Sequence, residues 1–122
     1  MLAYITLGTN DKERAVAFYD AIMEVMGGRR VFATPKLQFY GVSPGAPMIA
    51  IGPPYDDQPA TVGNGVMPAL AVDSKEMVDK VYAKALELGA PSEGEPGQRQ
   101  PTFYGAYFRD PDGNKICVCK LG

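Results

Sequence analysis

The chain repeats one order of predicted elements, and this repeat constrains its fold more than any other feature. In each half, a short alternating strand precedes an amphipathic helix and then further strand-like segments. Such self-similarity indicates two copies of one supersecondary unit. A half of about 60 residues buries too little apolar surface to be stable alone, so the copies should share a sheet or a core. We therefore predict an α+β fold of two tandem βαβββ modules, with a single ferredoxin-like sheet as the alternative.

The first half begins with an alternating strand within residues 1–10, MLAYITLGTN. Asn10 is the predicted helix N-cap, and Glu13 three residues later completes a capping box. The apolar stripe of the helix consists of Ala15, Phe18, Tyr19, Ile22, Met23 and Met26, and Gly27-Gly28 ends it. Three strands are predicted to follow, at residues 30–33, 37–42 and 47–51.

The second half repeats this order after a segment rich in proline, glycine and aspartate. We predict module one at about residues 1–56, the linker at about 52–64 and module two at about 65–122. A strand over 65–72 leads to a helix that Ser74 caps and Gly89 ends. The remaining predictions are a loop at 91–103 and closing strands at 104–109 and 115–120.

Composition and charge narrow the class of protein. The hydrophobic content of 46% and charged content of 21% are ordinary for a globular protein. A net charge of −2 gives no electrostatic reason to expect nucleic acid or an anionic membrane as a partner. The sequence has no apolar run long enough to span a bilayer and does not begin like a signal peptide, so we expect a cytoplasmic protein.

The chain contains two cysteines and no histidine. If Cys117 and Cys119 lie on one strand, their side chains share a face with Cβ atoms about 6–7 Å apart, too far for a relaxed disulfide. We expect reduced thiols that fill the interior. Without histidine, a cysteine–histidine nucleophile is excluded.

Four stretches together identify a family resemblance: YITLGTNDKERAVAFYDAIMEVMGGRRVF, IGPP, GNGV and YGAYFRDPDGNKI. In this order they resemble the vicinal oxygen chelate superfamily, which includes glyoxalase I, extradiol dioxygenases, and bleomycin and fosfomycin resistance proteins. The resemblance extends over essentially the whole chain. It implies that the paired modules form a cup-shaped mixed sheet with the helices outside. It also implies a homodimer, since open sheet edges favour pairing.

The same resemblance implies where a metal would bind. In the family, the first strand of each module usually supplies histidine and the last strand glutamate; the matching positions are Tyr4, Ala50, Met67 and Cys117. None is a histidine or a carboxylate, and common divalent metals require several nitrogen, oxygen or thiolate ligands. We expect no metal and no other cofactor. A soft Cu(I) site of Met67, Cys117 and Cys119 is a weaker alternative.

With the metal ligands missing, we expect a cup that binds a small, partly apolar molecule, as in the bleomycin-binding members. Strand alternation directs Tyr4 and Thr6 into the cup, and Met67 lies on a strand of small apolar residues. The predicted ligand-binding residues are Tyr4, Thr6, Met67, Phe103, Tyr104, Tyr107 and Cys117. Core packing is the alternative for Tyr4, Met67 and Cys117, and packing of the preceding loop is the alternative for the three aromatic residues that follow it.

Two other functions stay open on sequence grounds. One is a glyoxalase- or dioxygenase-like enzyme with a divergent site, with Tyr4 as general acid or base and Cys117 as a second weak catalytic candidate. The other is a structural or regulatory homologue without a ligand. We expect Arg30 and Arg109 to form solvated salt bridges, and Asp110 and Asp112 to hold a turn.

Overall fold

Each half of the chain folds into one βαβββ module in the computed structural model, which describes residues 1–122, so the predicted repeat is confirmed. Module one consists of β1 (Tyr4–Gly8), α1 (Lys12–Met26), β2 (Arg29–Ala33), β3 (Gln38–Gly41) and β4 (Met48–Gly52). Module two consists of β5 (Ala69–Ala71), α2 (Lys75–Glu87), β6 (Ser92–Gln100), β7 (Phe103–Arg109) and β8 (Lys115–Leu121). Neither helix is long and apolar enough to cross a membrane.

The two modules form two four-stranded mixed sheets with the same topology, instead of one ferredoxin-like sheet. Their strand orders are β1-β4-β3-β2 and β5-β8-β7-β6. In each module the first strand pairs in parallel with the last, with Tyr4 opposite Met48 and Ala69 opposite Cys117. All other pairs are antiparallel. A parallel pair needs a long crossover connection, which the helix and hairpin of each module supply.

One core joins the modules, as their small size requires. A cluster of 17 buried residues draws on both helices and on the helix-facing side of both sheets. Phe18 of α1 lies against Phe108 of β7, with ring centroids 6.2 Å apart. The helices also contact each other along this interface. The faces of the sheets that point away from the helices, which we call the cup faces, are left to form a site.

The helix caps follow the sequence signals, with one correction. Helix α1 is capped by Asp11, whose side chain accepts a hydrogen bond from the Arg14 amide at 3.1 Å. The prediction of Asn10 as cap is wrong by one residue, because the Asn10 side chain binds the linker instead, exchanging two hydrogen bonds with Ala60. Gly27 ends α1 at a φ of 80°, and Ser74 caps α2, both as predicted.

Strand β6 is the main error in the predicted elements. Residues 91–103 were expected to form a loop, yet Ser92–Gln100 is the edge strand of the second sheet. Its pairing with β7 contains several register shifts, which accommodate its glycines and Pro96. Proline and glycine are tolerated at edges and bulges, where a ladder hydrogen bond is not required. Strand β5 is also shorter than the predicted 65–72.

The turn before β8 attaches module two to module one. One carboxylate oxygen of Asp110 accepts hydrogen bonds from the Asp112 and Asn114 amides at 2.9 Å, so the predicted turn role is confirmed. The other oxygen accepts from the Tyr19 hydroxyl of α1 at 2.6 Å. Burial, reinforced by the charge of Asp110, raises the pKa of Tyr19 well above its usual value. Asp112 accepts a hydrogen bond from the Asn10 amide, which adds a second link.

The two arginines singled out in the sequence form the expected surface salt bridges. Arg30 binds both oxygens of Asp20, at 2.9 and 2.8 Å. Arg109 pairs with Glu93 at 3.3 Å. Both contacts lie on partly exposed side chains, so they contribute little to stability.

Candidate ligand-binding site

The cup face of module one carries a row of aromatic side chains. Alternation along β1 buries Leu7 in the core and leaves Tyr4 48% exposed on the opposite face. The Tyr4 ring meets Phe39 edge-on, with centroids 5.0 Å apart. Phe39 in turn stacks on Phe32 at 4.3 Å. Since Phe32 is itself half exposed, this face offers apolar area to a ligand or a partner.

An apolar pocket of about 530 Å³ opens between the two modules. Of its 17 lining residues, 14 are hydrophobic, and they come from β1, β5, the end of α1 and the β3–β4 hairpin. Tyr4 and Met67 both line it, together with Met23 and Met26 of α1. The volume lies in the range of small-molecule sites, and methionine side chains adapt to irregular ligands.

A larger cavity, about 730 Å³, lies at the other end of β1 under the linker. Only four of its 16 lining residues are hydrophobic. Lys36 at its wall is already paired with Asp57, at 2.6 Å. Thr6 lines this cavity and not the apolar pocket, so the structure separates Thr6 from Tyr4. We assign the candidate site to the smaller pocket because of its apolar lining.

The predicted ligand-binding residues of module two divide between the two sides of the sheet. Phe103, Tyr107 and Cys117 lie on the cup face, since they alternate with Phe108 and Ile116, which belong to the core. Tyr104 is on the helix side. Its hydroxyl donates to the Asp79 carboxylate of α2 at 2.7 Å. The grouping of Tyr104 with the other aromatic residues is therefore wrong, because neighbouring residues of a strand face opposite ways.

The four positions where the family would hold a metal do not form a metal site. Tyr4 and Met67 line the apolar pocket, whereas Ala50 and Cys117 are completely buried and are not among its lining residues. Nowhere in the chain do three or more histidine, cysteine, aspartate or glutamate side chains come together as a set of ligands. A phenol, a methyl group, a thioether and one thiol do not suit a divalent ion.

The two cysteines are free, buried and poor nucleophiles. Burial raises the pKa of the Cys117 thiol to about 12, and the neighbouring Cys119 adds to this effect. Burial likewise raises the pKa of Cys119. Since the thiolate is the reactive form and the metal-binding form, these values disfavour both the catalytic role of Cys117 and the Cu(I) alternative.

Sequence reasoning missed two charged residues on the cup face of module two. Arg99 lies 5.4 Å and Lys115 5.6 Å from the centroid of the Tyr107 ring. Arg99 fell in the predicted loop, and its place on a strand could not be read from the local pattern. The methionines of α1 that line the pocket were identified only as part of the helical stripe.

Two βαβββ modules around an apolar pocket define the class of cup-shaped proteins that the sequence motifs indicated. A family model described as the glyoxalase/bleomycin resistance protein/dioxygenase superfamily matches residues 1–118. The chain belongs to this superfamily. A search of curated protein sequences finds no significant match.

Solved structures agree with this assignment over the full length of the chain. A glyoxalase/bleomycin resistance protein from Albidiferax ferrireducens T118 is 37% identical, with a TM-score of 0.91, and the match covers 100% of this chain and 99% of that one. A lactoylglutathione lyase from Agrobacterium tumefaciens is 26% identical, with coverage of 98% and 92% and a TM-score of 0.68. The fosfomycin resistance protein FosX from Mesorhizobium loti, 19% identical with coverage of 100% and 92% and a TM-score of 0.69, shares the fold.

Proposed function

We propose that this protein binds a small, partly apolar molecule in the pocket between its modules without using a metal. The observation that carries the proposal is the lining of that pocket, where Tyr4 and Met67 stand at two positions that would hold metal ligands in the family. An apolar wall stabilises a ligand by removing its surface from water. The Tyr4 hydroxyl makes no hydrogen bond to another group of the protein. It is therefore free to donate a hydrogen bond to a ligand.

The divergent-enzyme alternative has less support. Its second candidate, Cys117, is buried and keeps its proton at neutral pH. Its first candidate, Tyr4, lies beside hydrophobic side chains with no charged partner to assist proton transfer. Binding and sequestration require only the pocket itself. We therefore favour a binding or sensing role, similar to that expected from the bleomycin-binding members.

Calorimetric titration with 1-octanol and 1-naphthol tests the proposal. We expect Met67→Glu to raise the Kd at least roughly tenfold, because it introduces a charge into an apolar wall. Val66→Glu is the matched control, since Val66 is 52% exposed and does not line the pocket. Absence of binding by either compound at millimolar concentration would contradict the proposal, as would equal losses in both variants.

Titration with Ni²⁺, Mn²⁺, Zn²⁺ and Fe²⁺ tests the metal-free part separately. The expected result is the absence of stoichiometric binding at the cup. Tight one-to-one binding that is lost in Tyr4→Phe or Cys117→Ala would overturn it, because those changes remove the only heteroatoms at two of the four family positions.

The proposal includes a homodimer in a reducing compartment such as the cytoplasm. Strand β2 is a free edge whose five residues are all exposed, including Val31 and Phe32. A second copy of this chain would cover this apolar edge. The two free thiols are consistent with a reducing environment. Light scattering after size exclusion tests the dimer, and a monomer at high concentration would contradict it.

A further inference from the structure

The cup face of module two carries two positive charges directed at one aromatic ring. The guanidinium carbon of Arg99 lies 5.4 Å, and the ammonium nitrogen of Lys115 5.6 Å, from the Tyr107 centroid. Because both distances end at the same ring, the guanidinium carbon and the ammonium nitrogen are at most about 11 Å apart. This convergence separates them from the scattered cations on the outer surface of the protein.

No carboxylate neutralises this pair. Five other cations form salt bridges, namely Arg14, Arg30, Lys36, Lys84 and Arg109. Arg99 makes one side-chain hydrogen bond, to the Glu95 backbone carbonyl at 2.5 Å, and neither Arg99 nor Lys115 makes an ion pair. Burial raises the pKa of Cys117, and the charges of Arg99 and Lys115 act in the opposite direction with a smaller effect. The two charges are therefore available to an anion.

Strand β6 provides the space in which Arg99 lies. A Cβ atom at Gly97 would come within 2.5 Å of the Arg99 Nη1 atom, and one at Gly94 within 2.9 Å of the Tyr107 ring. The two glycines thus let the ring and the guanidinium group pack against the strand. The glycines of β6 therefore make room for Arg99 and Tyr107 in addition to their place in the strand.

A direct row of residues connects the charges to the apolar pocket. Ala69 lines the pocket and pairs with Cys117, which pairs with Tyr107 on the next strand. Neighbouring strands lie about 4.8 Å apart, so the charged ring is about 10 Å from the pocket wall. Ala69, Cys117 and Tyr107 share the cup face, whereas Met23, Met26 and Tyr40 line the pocket from the helix side. A molecule of that length would reach both places by passing the Ala69 edge of the pocket.

We propose that Arg99 and Lys115 form an anion subsite, and that the ligand is amphipathic, with a carboxylate or phosphate group joined to an apolar body. This inference rests on the proposed function and specifies the ligand class. A guanidinium group can bind an oxyanion through two parallel hydrogen bonds, and an ammonium group adds a flexible point charge. The apolar body would occupy the pocket beside Met67 and Ala69.

Calorimetry with n-octanoate, n-octyl phosphate, 1-octanol and n-octyltrimethylammonium, all below micelle-forming concentrations, tests the subsite. We expect one of the two anions to bind at least roughly tenfold more tightly than octanol, and the cation to bind most weakly. The stronger anion distinguishes a carboxylate ligand from a phosphate ligand. Added salt should weaken anion binding and leave octanol binding unchanged.

Variants assign the effect to the two residues. Arg99→Gln and Lys115→Gln should each raise the Kd of the preferred anion roughly tenfold and leave that of octanol unchanged. Lys80→Gln removes an exposed charge on α2 and is the matched control. Gly97→Ala should weaken anion binding while the fold is retained, because the group that must move is the flexible end of Arg99.

The outcomes distinguish this inference from the proposed function. If octanol and both anions bind equally, or if Arg99→Gln and Lys115→Gln have no more effect than Lys80→Gln, the anion subsite is overturned and the apolar pocket stands. If none of the four compounds binds, the proposed function and the subsite are both overturned. Selective binding of an anion that both glutamine variants abolish supports the subsite.

Discussion

The two modules have the same topology but present different chemistry on their cup faces. Module one offers the aromatic row of Tyr4, Phe39 and Phe32, whereas module two offers Tyr107 with two cations near its ring. The helix-facing sides of both sheets are uniformly apolar and share one core. The comparison shows that the core side of a βαβββ module determines its fold, while its cup face can diverge without loss of topology.

The helices differ in how much they bury. Helix α1 contributes large side chains, among them Phe18 and Tyr19, whereas the buried residues of α2 are Val78, Val81 and Ala85. Module one therefore supplies more of the apolar volume at the interface. The changes below test the differences between the modules and the contacts that join them, beginning with the largest expected effect on stability at neutral pH.

Phe18→Ala should have the largest effect. The side chain is buried against Phe108 of the other module, and its removal leaves a cavity, so we expect a loss of about 3–5 kcal/mol in the free energy of unfolding. Val81→Ala in α2 removes less volume and should cost about half as much. Urea denaturation measures both. Equal losses would contradict the asymmetry.

Asp110→Asn should weaken the link between the modules. Oδ2 of Asp110 accepts hydrogen bonds from the Tyr19 hydroxyl and from the Asn114 side-chain amide. An NH2 group in its place can accept neither, so a buried donor loses its partner at a cost of about 1–3 kcal/mol. Asp79→Asn alters an exposed hydrogen bond to Tyr104 within module two and is the matched control. A urea midpoint that shifts equally in both variants would refute the special role of the turn.

Stability should fall above about pH 9, and Cys117 contributes to this fall. Its pKa in the folded protein is about 12, above its value of about 8.5 in an unfolded chain, so the unfolded state releases a proton first. The contribution is complete below pH 8.5 and is lost toward pH 12, at up to about 1.4 kcal/mol per pH unit.

Cys117→Ala should therefore make the alkaline decline in urea stability less steep. Tyr55→Phe removes a phenol that is 96% exposed, and the slope should stay as in the original protein. The slope is the relevant measurement, because loss of the sulfur also lowers stability at every pH. An unchanged slope in Cys117→Ala would show that the thiol ionises equally in both states.

The smallest effects should come from the surface salt bridges of the two modules. Arg30→Gln in module one and Arg109→Gln in module two each remove one partner of an exposed pair. Water screens such pairs, so we expect the melting temperature to change little in either variant. A large decrease for Arg30→Gln alone would indicate that its bidentate contact holds β2 to α1.

The fold was predictable because its repeat is expressed in local patterns. Helical stripes, the Ser74 cap, the glycine after α1 and the aspartate turn each follow from interactions between residues close in sequence. Strand β6 was not predictable in this way. Its residues have low strand propensity, and it forms because β7 offers a ladder of hydrogen bonds from a distant part of the chain.

The candidate site was predictable only in part, for a related reason. Alternation along β1 gave the correct face for Tyr4, and the position of Met67 gave the other wall of the pocket. Tyr104 was grouped with Phe103 and Tyr107 as one aromatic cluster without applying alternation, and the structure places it on the opposite face. Arg99 lies beside Tyr107 only because β6 pairs with β7, a tertiary contact that the local sequence does not indicate.

The parallel pairing of the first and last strand in each module has a consequence for the order of folding. Module one can close its sheet only when β4 has joined β1, and module two only when β8 has joined β5. Each closure orders a long intervening chain before its contacts form, which slows folding. Because β8 lies in the interior of its sheet and follows all the other strands in the sequence, a ribosome would complete module one while module two still lacked a central strand.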